Sequence, residues 1–258
     1  IRDCLLSRGL GDVYKRQDGL NINENCGAVH PQMMATTVVV HGADAGICLD
    51  GDADRVIIID ETGAVADGDQ LMALMAMRWA KNKQLRGDTL VSTVMSNLGL
   101  ERFLSAQGIA LERTAVGDRY VVERMREGGF NLGGEQSGHI VMSDYSTTGD
   151  GLMAGLQFLA EIVRTGTPAS QLINVFDPVP QLLKNVRFTP PQDPLNVSKV
   201  QQEISTAEAA LGDQGRLLIR KSGTEPLIRV MAECEDQALL IETVDSICAA
   251  VENASAVI

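Results

Sequence analysis

Short runs of apolar, β-branched residues alternate with segments of helical length over residues 46–166, and no other feature constrains the fold as strongly. GICL (46–49) and RVIIID (55–60) read as strands on either side of an acidic loop, and ETG (61–63) turns the chain after the second. DGDQLMALMAMRWAKNK (67–83) is an apolar-rich helix, acidic where it starts and basic where it ends, as the helix dipole favours. Strand TLVSTVM (89–95) precedes helix SNLGLERFLSAQG (96–108), which Gly108 stops. Strand IALERTAV (109–116) precedes helix GDRYVVERMREGG (117–129). Strand FNL (130–132) then leads through the loop GGEQSGH (133–139) to the long helix GDGLMAGLQFLAEIVRTG (149–166). The pattern predicts an α/β fold, a layered α/β/α arrangement with helices on the faces of a sheet.

The texture changes at TGTPASQLINVFDPVPQ (165–181), where Pro168, Pro178 and Pro180 predict a linker. A strand (181–188), a helix (197–212), two strands around a loop (215–233) and a last helix (237–251) then predict a small C-terminal α+β domain. Residues 1–17 show no clean period and put Arg2, Arg8, Lys15 and Arg16 on an otherwise acidic chain. They read as a foreign tail, with a helix from an upstream domain as the alternative.

A net charge of −12 over 258 residues argues against a nucleic-acid or membrane-surface partner, because both demand basic faces. A small anionic substrate stays open wherever basic residues gather locally. Cys4, Cys26, Cys48, Cys234 and Cys248 show no CxxC spacing and are odd in number, which predicts buried thiols in a reducing compartment. No apolar run reaches the length of a membrane span and the N-terminus has no signal-peptide layout, so the cytoplasm is the expected location.

Three loops could carry chemistry. In LDGDADRVIII (49–59), Asp50, Asp52 and Asp54 alternate, so in an extended loop their carboxylates converge. Hard oxygens of this kind suit Mg²⁺ or Ca²⁺. An EF-hand fails, because its sixth position holds Arg55 instead of glycine and a strand pattern follows. GICLDGD also resembles the strand end of an aspartyl-phosphate phosphatase, with Asp50 as nucleophile. A solvated acidic turn is the plainest reading. In GGEQSGH, glycines admit a close ligand while Glu135, Gln136 and Ser137 offer donors and acceptors suited to sugar hydroxyls. His139 could move a proton near neutral pH. A turn between strands explains the same residues. In RKSGTEPLIR (220–229), Arg220, Lys221 and Arg229 surround Ser222, Gly223 and Thr224, an anion cradle or else a charged hairpin tip.

Taken in order, NINENCGAVHP, HGADAGICLDGDADRVIIID, AVGDRYVVERM, GGEQSGHI, TTGDGLMAGL and RKSGTEPLIRVM resemble the α-D-phosphohexomutase family, from about residue 18 to the C-terminus. Gln136 and VGDRYV point to its amino-sugar members over those acting on glucose or mannose. The resemblance implies interconversion of glucosamine 6-phosphate and glucosamine 1-phosphate through a phosphoserine and a bisphosphate, with Mg²⁺ as cofactor. It implies metal ligation by Asp50, Asp52 and Asp54, and added positive charge from Arg55. Glu135 and Ser137 would grip sugar hydroxyls, with Arg119 a further substrate contact and His139 a proton carrier. Arg220, Ser222, Gly223, Thr224 and Arg229 would hold the phosphate that is not reacting. Ala115 stands where a lysine is expected.

The family's reactive serine lies in a loop resembling TASHNP, a string these residues lack. The resemblance therefore implies a remnant of a second, metal-loop domain at 18–62, a third, sugar-loop domain at 63–175 and a fourth, phosphate-loop domain at 176–258. It also leads us to expect a chain that is inactive by itself and poorly soluble. A non-catalytic module binding Mg²⁺ and sugar phosphate is the alternative from another class, and the Asp50 phosphatase a third.

Overall fold

The VIIID and AGICL runs pair as neighbours in one sheet. β2 (Ala45–Leu49) and β3 (Val56–Asp60) are antiparallel, with Ile47 opposite Ile58 and Leu49 opposite Val56. Every residue of both strands is buried, as continuous apolar runs require when both sheet faces are covered. Alternate side chains enter two cores. Cys48, Ile57 and Ile59 pack on Met34 and Val38 of helix α1 (Gln32–His41), while Ile47, Leu49, Val56 and Ile58 join the main core. β4 (Val65–Ala66) closes one edge, and β1 (Cys4–Ser7) lies parallel to β2 at the other.

These features come from a computed structural model describing residues 4–7, 22–188, 193–222 and 225–256. The 1–17 tail falls outside them except for β1. The chain divides into two compact units, Ile1–Asp177 and Pro178–Ile258. Among the described residues no helix is long and apolar enough to cross a membrane.

The first unit holds a second sheet of order β6-β5-β7-β8, built from β5 (Thr89–Thr93), β6 (Ala110–Thr114), β7 (Leu132–Gly134) and β8 (Ile140–Met142). β5 runs parallel to β6 and β7, and β8 returns antiparallel to β7. Helices α2 (Gly68–Lys81) and α3 (Leu98–Ala106) cover one face through Leu71, Leu74, Leu100 and Leu104. Helix α4 (Asp118–Gly128) covers the other, where Val121 and Met125 meet Val91 and Val141. This is the expected three-layer arrangement. Helix α5 (Gly151–Thr165) puts Phe158 and Ala154 into the core that both sheets share, so residues on either side of position 62 pack as one body.

The prolines at 168–180 predicted a linker, and the structure differs. Pro168 starts a short helix, α6 (Ala169–Ile173), that buries Ala169, Leu172 and Ile173 in the main core. Two side chains pin it. The Ser170 N–H and hydroxyl donate to Glu61, which holds that carboxyl below its ordinary value even though burial pushes the other way. Gln70 donates to Phe176 O and accepts from Val175 N–H. Proline density marked the helix start correctly as a break but missed the apolar face behind it.

In the second unit, β9 (Gln181–Arg187), β10 (Gly215–Lys221) and β11 (Leu227–Cys234) form an antiparallel sheet of order β10-β11-β9. Helices α7 (Ser198–Leu211) and α8 (Gln237–Ala256) pack on the face bearing Ile228, Val230 and Ala232. This is the expected small α+β architecture.

Phe158 is fully buried where the two sheets of the first unit meet. Phe158→Ala should lower the unfolding free energy of that unit by about 3–5 kcal/mol, read from denaturant midpoints.

Candidate active site

The acidic loop joins β2 to β3, and the scaffold brings its three carboxylates together. One ligand oxygen each from Asp50, Asp52 and Asp54 lies within 4.8 Å of the others. Asp50 is buried, with Oδ1 accepting the Arg55 backbone N–H at 3.0 Å, whereas Asp52 is exposed. Burial raises the Asp54 carboxyl above its ordinary value, and Asp50 and Asp52 push it the same way against His139. Three hard oxygens on a sharp loop, with repulsion that a cation would relieve, fit a Mg²⁺-type ion. The Arg55 Nε stands 4.0 Å from both Asp50 and Asp54, and its side chain is 45% exposed, so the guanidinium remains open to an anion.

The loop 133–139 is the hairpin between β7 and β8 and also the partner of the acidic loop, so both sequence readings hold at once. Val56 N–H donates to Gly138 O at 3.0 Å, and Arg55 and His139 form an antiparallel bridge. Gly138 has φ +93°, and a Cβ there would lie 2.2 Å from Val56 O. Only glycine permits that approach. The His139 imidazole is buried, with Nε2 3.5 Å from Asp54 Oδ2 and Nδ1 without a hydrogen-bond partner. It thus faces the acidic loop. Helix α5 begins against the same loop, where Gly151 N–H donates to Ala53 O at 2.9 Å.

Within the hairpin, Ser137 is exposed and Glu135 half-buried. Glu135 Oε1 accepts from Gly117 N–H at 3.0 Å, which ties the sugar loop to the VGDRYV turn. Arg119 is exposed on the first turn of α4, its guanidinium 4.8 Å from the centre of the Tyr120 ring. The Gln136 amide, expected among the sugar-facing groups, is bonded to the Asp67 carboxylate instead.

Sequence reasoning missed this acidic pair. Asp67 caps α2 by accepting from Gln70 N–H at 3.2 Å. Asp69 is wholly buried, with Oδ2 accepting from Asn97 N–H at 2.7 Å and Oδ1 lacking a partner. Burial, reinforced by the charge of Asp67, pushes Asp69 up to about 7 despite bonds from Asn97 and Ser96 and the charge of Arg113. DGD ahead of an apolar run reads as helix-dipole chemistry, and nothing local reveals that the second aspartate turns inward.

The second unit places its two arginines together. Arg220 of β10 lies directly opposite Arg229 of β11, with Asn185 of β9 next in the row. Both arginines occupy the sheet face opposite the helices, because Ile219, Ile228 and Val230 point to the core. Lys221 points away from them and pairs with Asp193 at 2.6 Å. Like charges facing across strands destabilise a sheet. Burial and the Arg229 charge hold Arg220 below its ordinary value, and Arg229 Nε is buried without a hydrogen-bond partner. An anion would satisfy both groups. Ser222 N–H donates to Leu227 O at 2.8 Å at the neck of the loop. Gly223 and Thr224 lie outside the described residues.

Asp69 sets a pH dependence. Its folded value of about 7 exceeds the usual 3.8, so the folded chain keeps a proton that the unfolded chain releases between those values. Stability should fall as pH rises through that window and level off above it. Asp69→Asn should abolish that slope, gaining on wild type by at most on the order of 4 kcal/mol between pH 4 and pH 7.5, measured by chemical denaturation across pH.

Residues 67–179 match phosphoglucomutase/phosphomannomutase α/β/α domain III, and residues 183–250 match the C-terminal domain of the same family. The chain is 70% identical over 237 residues to a phosphoglucosamine mutase of Ruegeria pomeroyi, covering 92% of this chain and 53% of that protein. It is 69% identical to a phosphoglucosamine mutase of Roseobacter denitrificans, with the same coverage. The chain thus spans about half the length of the curated relatives it matches. Its fold is similar to that of a phosphoglucomutase/phosphomannomutase family protein from Burkholderia thailandensis, with TM-score 0.72 and 22% identity over 89% of this chain and 51% of that one. It is also similar to Aspergillus fumigatus N-acetylphosphoglucosamine mutase, solved with GlcNAc-6P and magnesium, with TM-score 0.68 and 20% identity over 90% of this chain and 54% of that one. With both of its units matched in order, the chain belongs to the phosphoglucomutase/phosphomannomutase family, the α-D-phosphohexomutases.

Proposed function

We propose that this chain is the metal-, sugar- and phosphate-holding part of an enzyme that interconverts glucosamine 6-phosphate and glucosamine 1-phosphate, an intramolecular phosphoryl transfer in the cytoplasm. The observation that carries the reading is the convergence of Asp50, Asp52 and Asp54 beside a sugar-type hairpin, the two loops hydrogen-bonded to each other. Identity of 70% to a phosphoglucosamine mutase selects the amino sugar within the family.

Asp50, Asp52 and Asp54 would hold Mg²⁺, which when bound offsets negative charge on phosphoryl oxygens. Arg55, open to solvent, adds a guanidinium beside those oxygens. Glu135 and Ser137 hydrogen-bond sugar hydroxyls, Glu135 through the oxygen that Gly117 does not occupy. Arg119, one residue after the turn of α4, reaches the substrate on swinging off Tyr120. His139, packed against Asp54, is placed to steady a proton at that carboxylate. Arg220 and Arg229, with Ser222, Gly223 and Thr224, bind the phosphate group that stays on the sugar.

The reactive serine implied by the family is not in a recognisable loop of these residues, so binding without turnover is the expected behaviour of the chain itself. Asp50 as a phosphatase nucleophile fits less well, since burial and the Arg55 N–H engage its carboxylate.

Calorimetric titration with MgCl₂ and then glucosamine 6-phosphate tests the proposal. Asp52→Asn removes an exposed ligand with no role in packing, and should weaken Mg²⁺ at least on the order of 10-fold at unchanged melting temperature. Equal Mg²⁺ affinity in the variant would overturn the metal assignment. Release of inorganic phosphate that disappears in Asp50→Asn would favour the phosphatase.

A further inference from the structure

The hairpin 133–139 rests on the N-terminus of α2. Gly68 N–H donates to Gln136 O at 2.9 Å, and a Cβ on Gly68 would lie 2.2 Å from Glu135 O and 2.8 Å from Gly138 N. No side chain other than hydrogen fits at position 68 while the hairpin lies there. The residue before it, Asp67, takes the Gln136 side-chain amide on its carboxylate. Gln136 is therefore clamped at backbone and side chain by consecutive residues. On the other arm, Ser92 Oγ donates to Gly134 O at 2.8 Å and shares a hydrogen with Ser96, which in turn bonds Asp69.

We infer that Asp67 is a positioning residue for the sugar-binding hairpin, acting through Gln136 to fix where Glu135 and Ser137 present their oxygens. The inference deepens the proposed function and rests on it for the identity of the ligand, although the clamp itself does not. Asp67 touches neither sugar nor metal in this account. Its carboxylate holds the amide of Gln136, so the residue at 136 sets hairpin geometry instead of contacting substrate. Gln at 136 is matched to Asp at 67 because one donates where the other accepts. A charge-assisted hydrogen bond of this kind is about twice as strong as a neutral one, which suits a loop that must keep its shape without a ligand. Two side-chain oxygens aimed at one sugar ring need that preorganisation, because loose donors and acceptors lose their gain to ordering.

The difficulty in testing Asp67 is that it also caps α2, and serine separates the two roles. Serine caps a helix about as well as aspartate but is too short to reach Gln136. Asparagine keeps both the cap and an acceptor at the same length. The full 258-residue chain, its Asp67→Ser variant and its Asp67→Asn variant would be compared by nitrogen-15 NMR of the Gln136 side-chain amide and by hydrogen exchange. Glucosamine 6-phosphate with MgCl₂ would serve as the binding probe. Asp67→Ser should shift the Gln136 amide resonance and speed exchange at Glu135 and Gly138 at least ~10-fold, with the amides of α2 within ~2-fold of wild type. It should weaken the probe by ~10-fold, and Asp67→Asn should restore both readouts to within ~3-fold. An unmoved Gln136 resonance, or exchange that quickens equally along α2, would overturn the positioning role. Should the wild-type chain fail to bind the probe while the hairpin still loosens in Asp67→Ser, the clamp stands and the substrate assignment falls.

Discussion

A single backbone contact, Val56 N–H to Gly138 O, joins two loops that belong to different sheets. It depends on a glycine at φ +93° whose missing side chain leaves room for the opposing carbonyl. With that contact made, Arg55 and His139 bridge, the imidazole closes over Asp54, and α5 seats its first N–H on Ala53. The acidic loop has no regular structure of its own. Its shape is borrowed from the hairpin on one side and the helix end on the other, and both are anchored in a core that the two sheets share.

Like charges gather at three places in the molecule, and the scaffold bears the cost each time. Asp50, Asp52 and Asp54 face one another on a loop. Arg220 and Arg229 face one another across a sheet. Asp67 and Asp69 share the start of a helix. In the first two cases the charge opens outward, so a small ion of opposite sign relieves the strain and the arrangement reads as a site. In the third it turns inward, where backbone N–H groups and the nearby Arg113 offset it incompletely and the carboxyl responds by holding its proton. Burial and direction separate a ligand site from a structural device more surely than charge does.

Much of the architecture was legible because its signals are local. VIIID and AGICL are apolar throughout, and a strand buried on both faces leaves that mark. The amphipathic segments at 67–83, 96–108, 117–129 and 149–166 became helices, with Asp67, Asn97 and Asp150 as side-chain caps. The prolines at 168–180 misled because proline reports only backbone freedom. The apolar face of Ala169, Leu172 and Ile173, and the anchors Glu61 and Gln70 more than a hundred positions away, are not visible from composition. Among the site residues, spacing alone placed three carboxylates within reach of one ion. It could not reveal that Gln136 turns from the sugar side toward Asp67, or that Lys221 leaves the arginine pair for Asp193.

Residue type and alternation, which act over a few positions, determined by themselves which segments pair, which coil and which loops collect charge. Tertiary structure decided which loop meets which, whether an aspartate faces water or the core, and which neighbour an amide chooses. Those choices rest on contacts between residues distant along the chain, where a gap of a few tenths of an ångström or one absent Cβ sets the outcome, and no local pattern records such distances.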